Sequence, residues 1–337
     1  MMQRFCRSRV SGGATGIPVI RSLAARSQSS LLPEPTRIAQ VLDVDGSMKR
    51  IRYIDFFDKT ADLSGDGDKA PLVLLCGTAQ TIESWAMHIK PLAASGRRIL
   101  IPELRCQGHV TDLSTDHVSY DQYINDIKNF LSYVDTGPVD LAGFSFGGRM
   151  AIAFAAHEPS LVRKLSITGV PYSRLKLGEL ILSSWGEFLI KRDYHNAAWS
   201  FIINGFSPSY INDNAAVVSG MADIIVKNND FEKLIKLINH TNQQNDATSV
   251  YAASNCAGLI KCNSQVIAAT EDRISNYEEE KRLAAHMGNL NGLSNSNGIG
   301  RSLPIVEFHT IIGSGHLSPF ERPTLWRKLL CDFLDKS

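Results

Sequence analysis

Residues 139–152 read VDLAGFSFGGRMAI and place Ser145 at the centre of a Gly-x-Ser-x-Gly pattern. The apolar run before this serine predicts a buried strand, and the alanine-containing run after it predicts a helix. A serine between such a strand and such a helix sits on a sharp turn, where small neighbours let the two backbones pass closely. We therefore predict that Ser145 is a nucleophile at the tip of this turn; a chance Gly/Ser turn fits its flanks less well.

Short apolar runs on both sides of this turn predict further buried strands. They alternate with helical patterns, for example at 120–133, where the apolar residues share one face. The predicted strands are 71–76, 98–102, 139–143, 161–169, 264–270 and 305–312, after a hairpin within 37–57. This alternation predicts an α/β fold with a doubly wound, mostly parallel sheet.

The alternation stops between about residues 172 and 262, where apolar residues recur at helical spacing. Strand patterns resume afterwards, so we interpret 172–262 as a helical cap inserted into a core formed by 34–171 and 263–337. Segment 288–301, GNLNGLSNSNGIGR, is rich in Asn, Gly and Ser, which predicts a flexible surface loop.

Residues 1–33 contain five arginines and no carboxylate. An Arg- and Ser-rich segment without acids is typical of an organellar transit peptide, and the alternative is a disordered basic leader. Glycines and a proline interrupt the apolar core that a secretory signal needs. We predict a mitochondrial protein, with plastid and cytoplasm as alternatives.

Composition narrows the class of protein. The formal net charge of +1 among 337 residues and the absence of a basic stripe argue against a nucleic-acid partner. The six cysteines are widely scattered, and neither they nor the histidines have zinc-ligand spacing, so we expect no metal and no cofactor. No apolar run reaches the ~18 residues of a membrane span. We expect a small-molecule substrate, and the oligomeric state stays open.

A serine hydroxyl needs a base to take its proton and a carboxylate to orient that base. His316 is the best candidate base, because it lies in the Gly-rich loop GSGHLSP directly after a predicted strand. The acid should come before it, and Glu271 and Asp272 both follow the strand VIAAT. A solvated loop residue is the alternative for each of these three.

The same chemistry needs two backbone N–H groups to stabilise a tetrahedral oxyanion. We assign one to Phe146, which follows the candidate nucleophile, and one to Thr78, in the Gly-containing loop after the strand PLVLLC. As substrate-binding residues we expect Gly77, Phe144 and Trp185, because ligand cavities are mostly apolar.

Five segments together resemble the α/β-hydrolase superfamily over roughly residues 37–333. They are LLCGTAQTIESW (74–85), ILIPELRCQGHVTD (99–112), GFSFGG (143–148), IAATEDRI (267–274) and GSGHLSPFERP (313–323). The resemblance implies that Asp272 is the acid, because the family's Asp precedes an apolar residue by two positions in this loop. Two departures are Cys76, where a His is usual, and Glu103, where an Asp is usual.

Within the superfamily, the single cap resembles small-ester and carbon–carbon-bond hydrolases, including pimeloyl-carrier-protein methyl ester esterases. Epoxide hydrolases and haloalkane dehalogenases have Asp at the position of Ser145, and no long amphipathic lid points to a true lipase. The resemblance implies a serine hydrolase that cleaves a small or medium carboxylic ester through an acyl-serine intermediate. An acyltransferase with the same triad and a ligand-binding scaffold with a retained pocket are the alternatives.

Overall fold

The computed structural model describes residues 36–58, 60, 69–108, 118–243, 248–287 and 304–336. The predicted leader, 1–33, and the predicted flexible loop, 288–301, lie outside the described residues, so both stay predictions.

One sheet organises the described part of the chain, and eight strands form it. They are β1 (Arg37–Leu42), β2 (Met48–Phe56), β3 (Leu72–Leu75), β4 (Ile99–Pro102), β5 (Val139–Phe144), β6 (Val162–Thr168), β7 (Asn263–Ala269) and β8 (Val306–Ile311). Their order is β1-β2-β4-β3-β5-β6-β7-β8. β2 pairs antiparallel with β1 and β4, and the remaining pairs are parallel. The predicted mostly parallel sheet and its N-terminal hairpin are confirmed.

Helices cover both faces of this sheet. They are α1 (Ala86–Ala93), α2 (Tyr120–Tyr133), α3 (Phe146–His157), α4 (Lys176–Ile190), α5 (Tyr194–Gly205), α6 (Pro208–Asp213), α7 (Ala215–Asn228), α8 (Phe231–Gln243), α9 (Ala253–Cys256), α10 (Tyr277–Met287), α11 (Ser318–Glu321) and α12 (Pro323–Leu334). Apolar residues of α2, α3 and α10 pack against one face, and those of α1 and α12 against the other. β3, β4 and β5 are buried along their whole length, as expected of central strands covered on both sides.

Helices α4 to α8 lie between β6 and β7, in the segment that we interpret as the cap. α4 contacts α5 and α8, and α5 contacts α7. The apolar face of α4, including Trp185 and Leu189, belongs to the same buried cluster as the core helices, whereas α5 and α7 share a smaller cluster around Ile202 and Val218. Across the described ranges, no helix is long and apolar enough to cross a membrane.

Hydrogen bonds join the cap to the loop that carries the candidate base. The Leu317 N–H donates to the Gly205 carbonyl at 2.8 Å. The buried carboxylate of Glu321 accepts from the Ser207 N–H at 2.9 Å, from the Ser207 hydroxyl at 2.7 Å and from the Gly315 N–H at 2.9 Å. One carboxylate therefore fixes the end of α5 and the histidine loop together.

Candidate active site

Ser145 lies between the end of β5 and the start of α3 with φ 52° and ψ −116°. Residues other than glycine rarely adopt this conformation, and such strain persists where the surroundings enforce it. The Ser145 N–H donates to the Thr168 carbonyl at 2.8 Å, and the Arg149 N–H donates to the Ser145 carbonyl at 3.0 Å. The turn is thus held by the neighbouring strand on one side and by the helix on the other.

Two glycines allow this turn. A Cβ on Gly143 would lie 2.5 Å from the Gly147 carbonyl oxygen, and a Cβ on Gly147 would collide with the Leu75 carbonyl. Neither neighbour can move, because both contacts are made by backbone atoms. The spacing Gly-x-Ser-x-Gly is therefore a packing requirement of this turn.

The three predicted triad residues are joined by two hydrogen bonds through His316. His316 Nε2 lies 2.8 Å from the Ser145 Oγ, and His316 Nδ1 lies 2.7 Å from the Asp272 Oδ2. In the tautomer that satisfies both contacts, Nδ1–H donates to the carboxylate and Nε2 accepts a hydrogen bond from the serine hydroxyl. His316 and Asp272 are buried and Ser145 is partly exposed, so the chain of hydrogen bonds leads from the interior to an accessible hydroxyl.

The loop after β7 aims Asp272 inward. Its Oδ1 accepts hydrogen bonds from the Ile274 and Ser275 N–H groups, both at 2.8 Å, which leaves Oδ2 for the histidine. Glu271, the competing carboxylate, is exposed, and its own N–H donates to the Ser314 carbonyl at 2.9 Å. The geometry therefore favours Asp272 over Glu271.

A second buried carboxyl, Glu280, lies behind Asp272. Burial, and then the charge of Asp272, raise the pKa of Glu280 well above its ordinary value. The Ser275 hydroxyl donates to the Gly169 carbonyl at 2.7 Å, and a Cβ on Gly169 would lie 3.0 Å from His316 Cε1. The triad therefore has close neighbours in Glu280, Ser275 and Gly169, which restrict its movement.

The candidate oxyanion amides lie beside the nucleophile, because Thr78 and Phe146 line the same cavity as Ser145. Phe146 is the first residue of α3, so its N–H has no acceptor within the helix. The Gly77 N–H donates to the Gln80 Oε1 at 2.8 Å, and this hydrogen bond holds the loop that contains Thr78. This arrangement suits the predicted roles of Thr78 and Phe146.

The cavity above the nucleophile, here called the Ser145 cavity, is small and has mixed walls. Its apolar walls come from Pro171, Leu182, Trp185 and Ile274, and its polar walls include Arg149 and Arg174. The full lining is Thr78, Ser145, Phe146, Arg149, Gly169, Pro171, Arg174, Leu182, Trp185, Ile274 and Ser275. Trp185, predicted to bind substrate, therefore lines this cavity, and its role in binding stays a prediction.

Two other predicted substrate-binding residues lie behind the cavity, which corrects that prediction. Phe144 is buried and packs against His316 and Phe320, with ring centroids 5.0 and 6.0 Å apart. Successive strand residues point to opposite sides of a sheet, so the Phe144 ring enters the core. Gly77 packs on this ring, because its Cβ would lie 2.8 Å from Phe144 Cδ1.

The sequence did not single out Arg149, Arg174, Gln80 or Asn229. Arg149 lies two residues after the Gly-x-Ser-x-Gly pattern. Its spacing of four residues from Ser145, about one helical turn, could have indicated that it lies near the nucleophile. Asn229 comes after α7, and its Nδ2 donates to the Ala79 carbonyl in the predicted oxyanion loop at 3.1 Å. No local sequence pattern reveals this contact. Within the ranges that the structure describes, no three side chains form a cluster suited to a metal ion.

The fold and this site together identify the family of the chain. Residues 72–327 match the family model described as the alpha/beta hydrolase family, and the chain belongs to that family.

Similar proteins span several activities. The chain is 27% identical over 118 residues to 2-hydroxy-6-oxo-2,4-heptadienoate hydrolase of Pseudomonas putida, a match covering 34% of this chain and 43% of that protein. It is 25% identical over 269 residues to pyrrolizixenacetamide deacetylase of Xenorhabdus hominickii, covering 80% and 92%. The crystal structure of the enol-lactonase from Burkholderia xenovorans superposes with a TM-score of 0.70 at 15% identity, covering 88% and 100%. The last similarity shows the fold alone.

Proposed function

We propose that this chain is a serine hydrolase that cleaves a small or medium carboxylic ester through an acyl-Ser145 intermediate. The observation that carries the proposal is the unbroken hydrogen-bond chain from Asp272 through His316 to Ser145, which ends at a partly apolar cavity. Nucleophile, base and orienting acid are the parts that acyl transfer to a serine requires.

The first half of the reaction forms the acyl-enzyme. His316 Nε2 takes the Ser145 proton as Oγ attacks the ester carbonyl carbon, and Asp272 stabilises the resulting imidazolium. The carbonyl oxygen becomes an oxyanion, which accepts hydrogen bonds from the Thr78 and Phe146 N–H groups. The tetrahedral intermediate then collapses, the bond to the alcohol oxygen breaks, and His316 donates its proton to the departing alcohol.

The second half regenerates the serine. Water enters, gives a proton to His316 and attacks the acyl carbon through its oxygen. The second tetrahedral intermediate expels Ser145 Oγ, which takes the proton back from His316, and the carboxylic acid leaves. The product sum is one acid and one alcohol for each ester and water consumed.

Cavity size and chemistry support a small or medium acyl group. Leu182, Trp185 and Ile274 offer an apolar wall, and the free space between them and Ser145 is narrow. A deacetylase is among the similar proteins, and its name describes acyl-group hydrolysis.

A panel of p-nitrophenyl esters of increasing acyl length tests this proposal. We expect highest kcat/KM for short to medium chains and a loss on the order of 10⁶ in kcat for Ser145→Ala. The control is Ser132→Ala, an exposed serine on α2, which should behave as wild type. Substantial turnover by Ser145→Ala would refute the assignment, and preferential transfer to added alcohols or thiols over water would identify an acyltransferase instead.

A further inference from the structure

A second and larger cavity adjoins the Ser145 cavity. It has a free volume of about 360 Å³, against about 20 Å³ in the Ser145 cavity. Residues 270–274 and Asn276, in the loop that carries Asp272, line it from the core, so we call it the acid-loop cavity. Ile274 is buried and lines both cavities, and it is therefore a wall that the two cavities share.

The segment between β6 and β7 gives the acid-loop cavity an apolar wall. Leu175 precedes α4, Leu177 lies in its first turn, and Pro208 begins α6. The start of α4 approaches the acid loop closely, because a Cβ on Gly178 would lie 2.6 Å from the Ile274 carbonyl oxygen. Leu177 is nevertheless 56% exposed, so an alkyl chain bound in this cavity would remove apolar surface from water.

The Ser145 cavity is too small for both halves of an ester. One water molecule already needs roughly 10–15 Å³ of such space, so the free volume beside Ser145 admits little more than one small group. A short acyl group would fill it. The alcohol part of the ester then needs other space nearby.

The chemistry of the triad places the alcohol part on the histidine side of Ser145. His316 has to donate a proton to the departing alcohol oxygen, so this oxygen must lie within reach of Nε2. The acid loop holds that histidine, because Asp272 Oδ2 lies 2.7 Å from Nδ1. The same loop lines the larger cavity, and an alcohol part that extends past Ile274 would enter it.

We propose that the acid-loop cavity is the subsite for the alcohol part of the ester and takes an unbranched alkyl group of several carbons. This inference rests on the proposed ester hydrolysis. Ile274 marks the boundary between the two parts of the substrate, and Leu177 contacts the alkyl chain. Glu271 and Arg273 also line the cavity but are exposed, so their charged groups stay in water. The preferred substrate is a short acyl ester of a medium-chain primary alcohol.

Simple alkyl esters test the subsite. Hexyl acetate has four methylene groups more than ethyl acetate, all of them in the alcohol part. Each methylene group that leaves water changes an equilibrium constant by about fourfold, and the chain stays partly exposed beside Leu177, so we expect wild-type kcat/KM to favour hexyl acetate by about tenfold to a hundredfold. Ethyl hexanoate, an isomer of hexyl acetate with the long chain on the acyl side, should gain much less over ethyl acetate.

Two leucines of nearly equal exposure provide matched variants. Leu177 is 56% exposed and lines the acid-loop cavity, whereas Leu180, also on α4, is 57% exposed and is not part of its lining. Leu177→Ser should lower the hexyl-to-ethyl ratio of kcat/KM by about fivefold or more, because it removes apolar surface from the subsite. Leu180→Ser should keep the wild-type ratio. Thermal melting checks that both variants fold.

A binding experiment separates this inference from the proposed function. Calorimetry with Ser145→Ala measures the dissociation constants of ethyl acetate and hexyl acetate without turnover. Tighter binding of hexyl acetate that Leu177→Ser weakens and Leu180→Ser does not, without wild-type hydrolysis of any ester, would support the subsite and refute the esterase.

Three results with an active wild-type enzyme would overturn the subsite. The first is a hexyl-to-ethyl ratio near one. The second is an equal loss of that ratio in Leu177→Ser and Leu180→Ser. The third is a loss in Leu177→Ser that is confined to ethyl hexanoate, which would assign the cavity to the acyl chain instead.

Discussion

Two adjacent carboxylates follow β7, and their environments differ sharply. Asp272 is buried, with one oxygen on two backbone N–H groups and the other on His316, whereas Glu271 is exposed. From the sequence alone, either residue could be the acid, because both come directly after the strand. Only the resemblance to the α/β-hydrolase superfamily favoured Asp272. The direction in which a loop side chain points depends on backbone hydrogen bonds that no local pattern records.

We predict that Asp272→Asn lowers kcat for p-nitrophenyl esters by about 10⁴, because an amide supports the wrong histidine tautomer and stabilises the imidazolium poorly. Glu271→Gln is the matched control, and its kcat should stay close to that of wild type. Steady-state kinetics on the two purified variants measures the difference. A larger loss in Glu271→Gln would reverse the assignment.

At the scale of elements, strand positions were predictable to within one or two residues. β7 was predicted at 264–270 and occupies Asn263–Ala269, because an apolar run bounded by polar residues defines a buried strand without reference to the rest of the chain. Contacts between elements were not predictable. Asn229, after α7, donates from Nδ2 to the Ala79 carbonyl at 3.1 Å, and the two residues are 150 positions apart.

This hydrogen bond connects the predicted cap to the predicted oxyanion loop, and we propose that Asn229 positions Thr78. Ala79 has φ 60°, which a non-glycine residue adopts only under constraint. We predict that Asn229→Ala lowers kcat by about fivefold, the equivalent of one hydrogen bond, while KM changes little.

The matched control is Asn214→Ala, because Asn214 donates to the Tyr210 carbonyl at 3.0 Å within the cap and does not reach the core. It should leave kcat and KM at wild-type values. A purely structural role for Asn229 would instead lower the melting temperature of its variant without changing kcat.

At the scale of the whole molecule, a buried histidine couples stability to pH. His88 is fully buried among Trp85, Phe320 and Trp326, with ring centroids 5.0 to 5.7 Å from its own. Burial, and the charge of Arg327, lower its pKa from 6.5 to about 3. Between these values the unfolded chain binds more protons than the folded one, so the free energy of unfolding falls as the pH falls.

We predict that His88→Phe reduces this acid sensitivity. The phenyl ring keeps the aromatic contacts and cannot be protonated, which removes a slope of up to about 1.4 kcal/mol per pH unit below pH 6.5. Urea unfolding at several pH values between 7 and 4, which covers most of the range between the two pKa values, measures the free energy of unfolding of wild type and variant. The exposed His195, on α5, provides the control His195→Phe; equal slopes in wild type and His88→Phe would contradict the prediction.

The N-terminal segment bears on where the whole molecule is located in the cell. We propose that residues 1–33 direct import into the mitochondrion, because they combine five arginines with no acid. Residues 1–40 fused to a fluorescent protein should colocalise with a mitochondrial marker. Replacing Arg4, Arg7, Arg9, Arg21 and Arg26 by Gln should abolish import, and diffuse fluorescence of the unchanged fusion would refute the proposal.

We predict that Ser145 carries the acyl group during turnover. The most direct measurement is peptide mass mapping after rapid acid quenching of the enzyme with an excess of p-nitrophenyl acetate. We expect one acetyl group on the peptide that contains Ser145, and none on that peptide in Ser145→Ala. Release of p-nitrophenol by the wild-type enzyme with no acetyl group on that peptide at any quench time, or an acetyl group on a different residue, would contradict it.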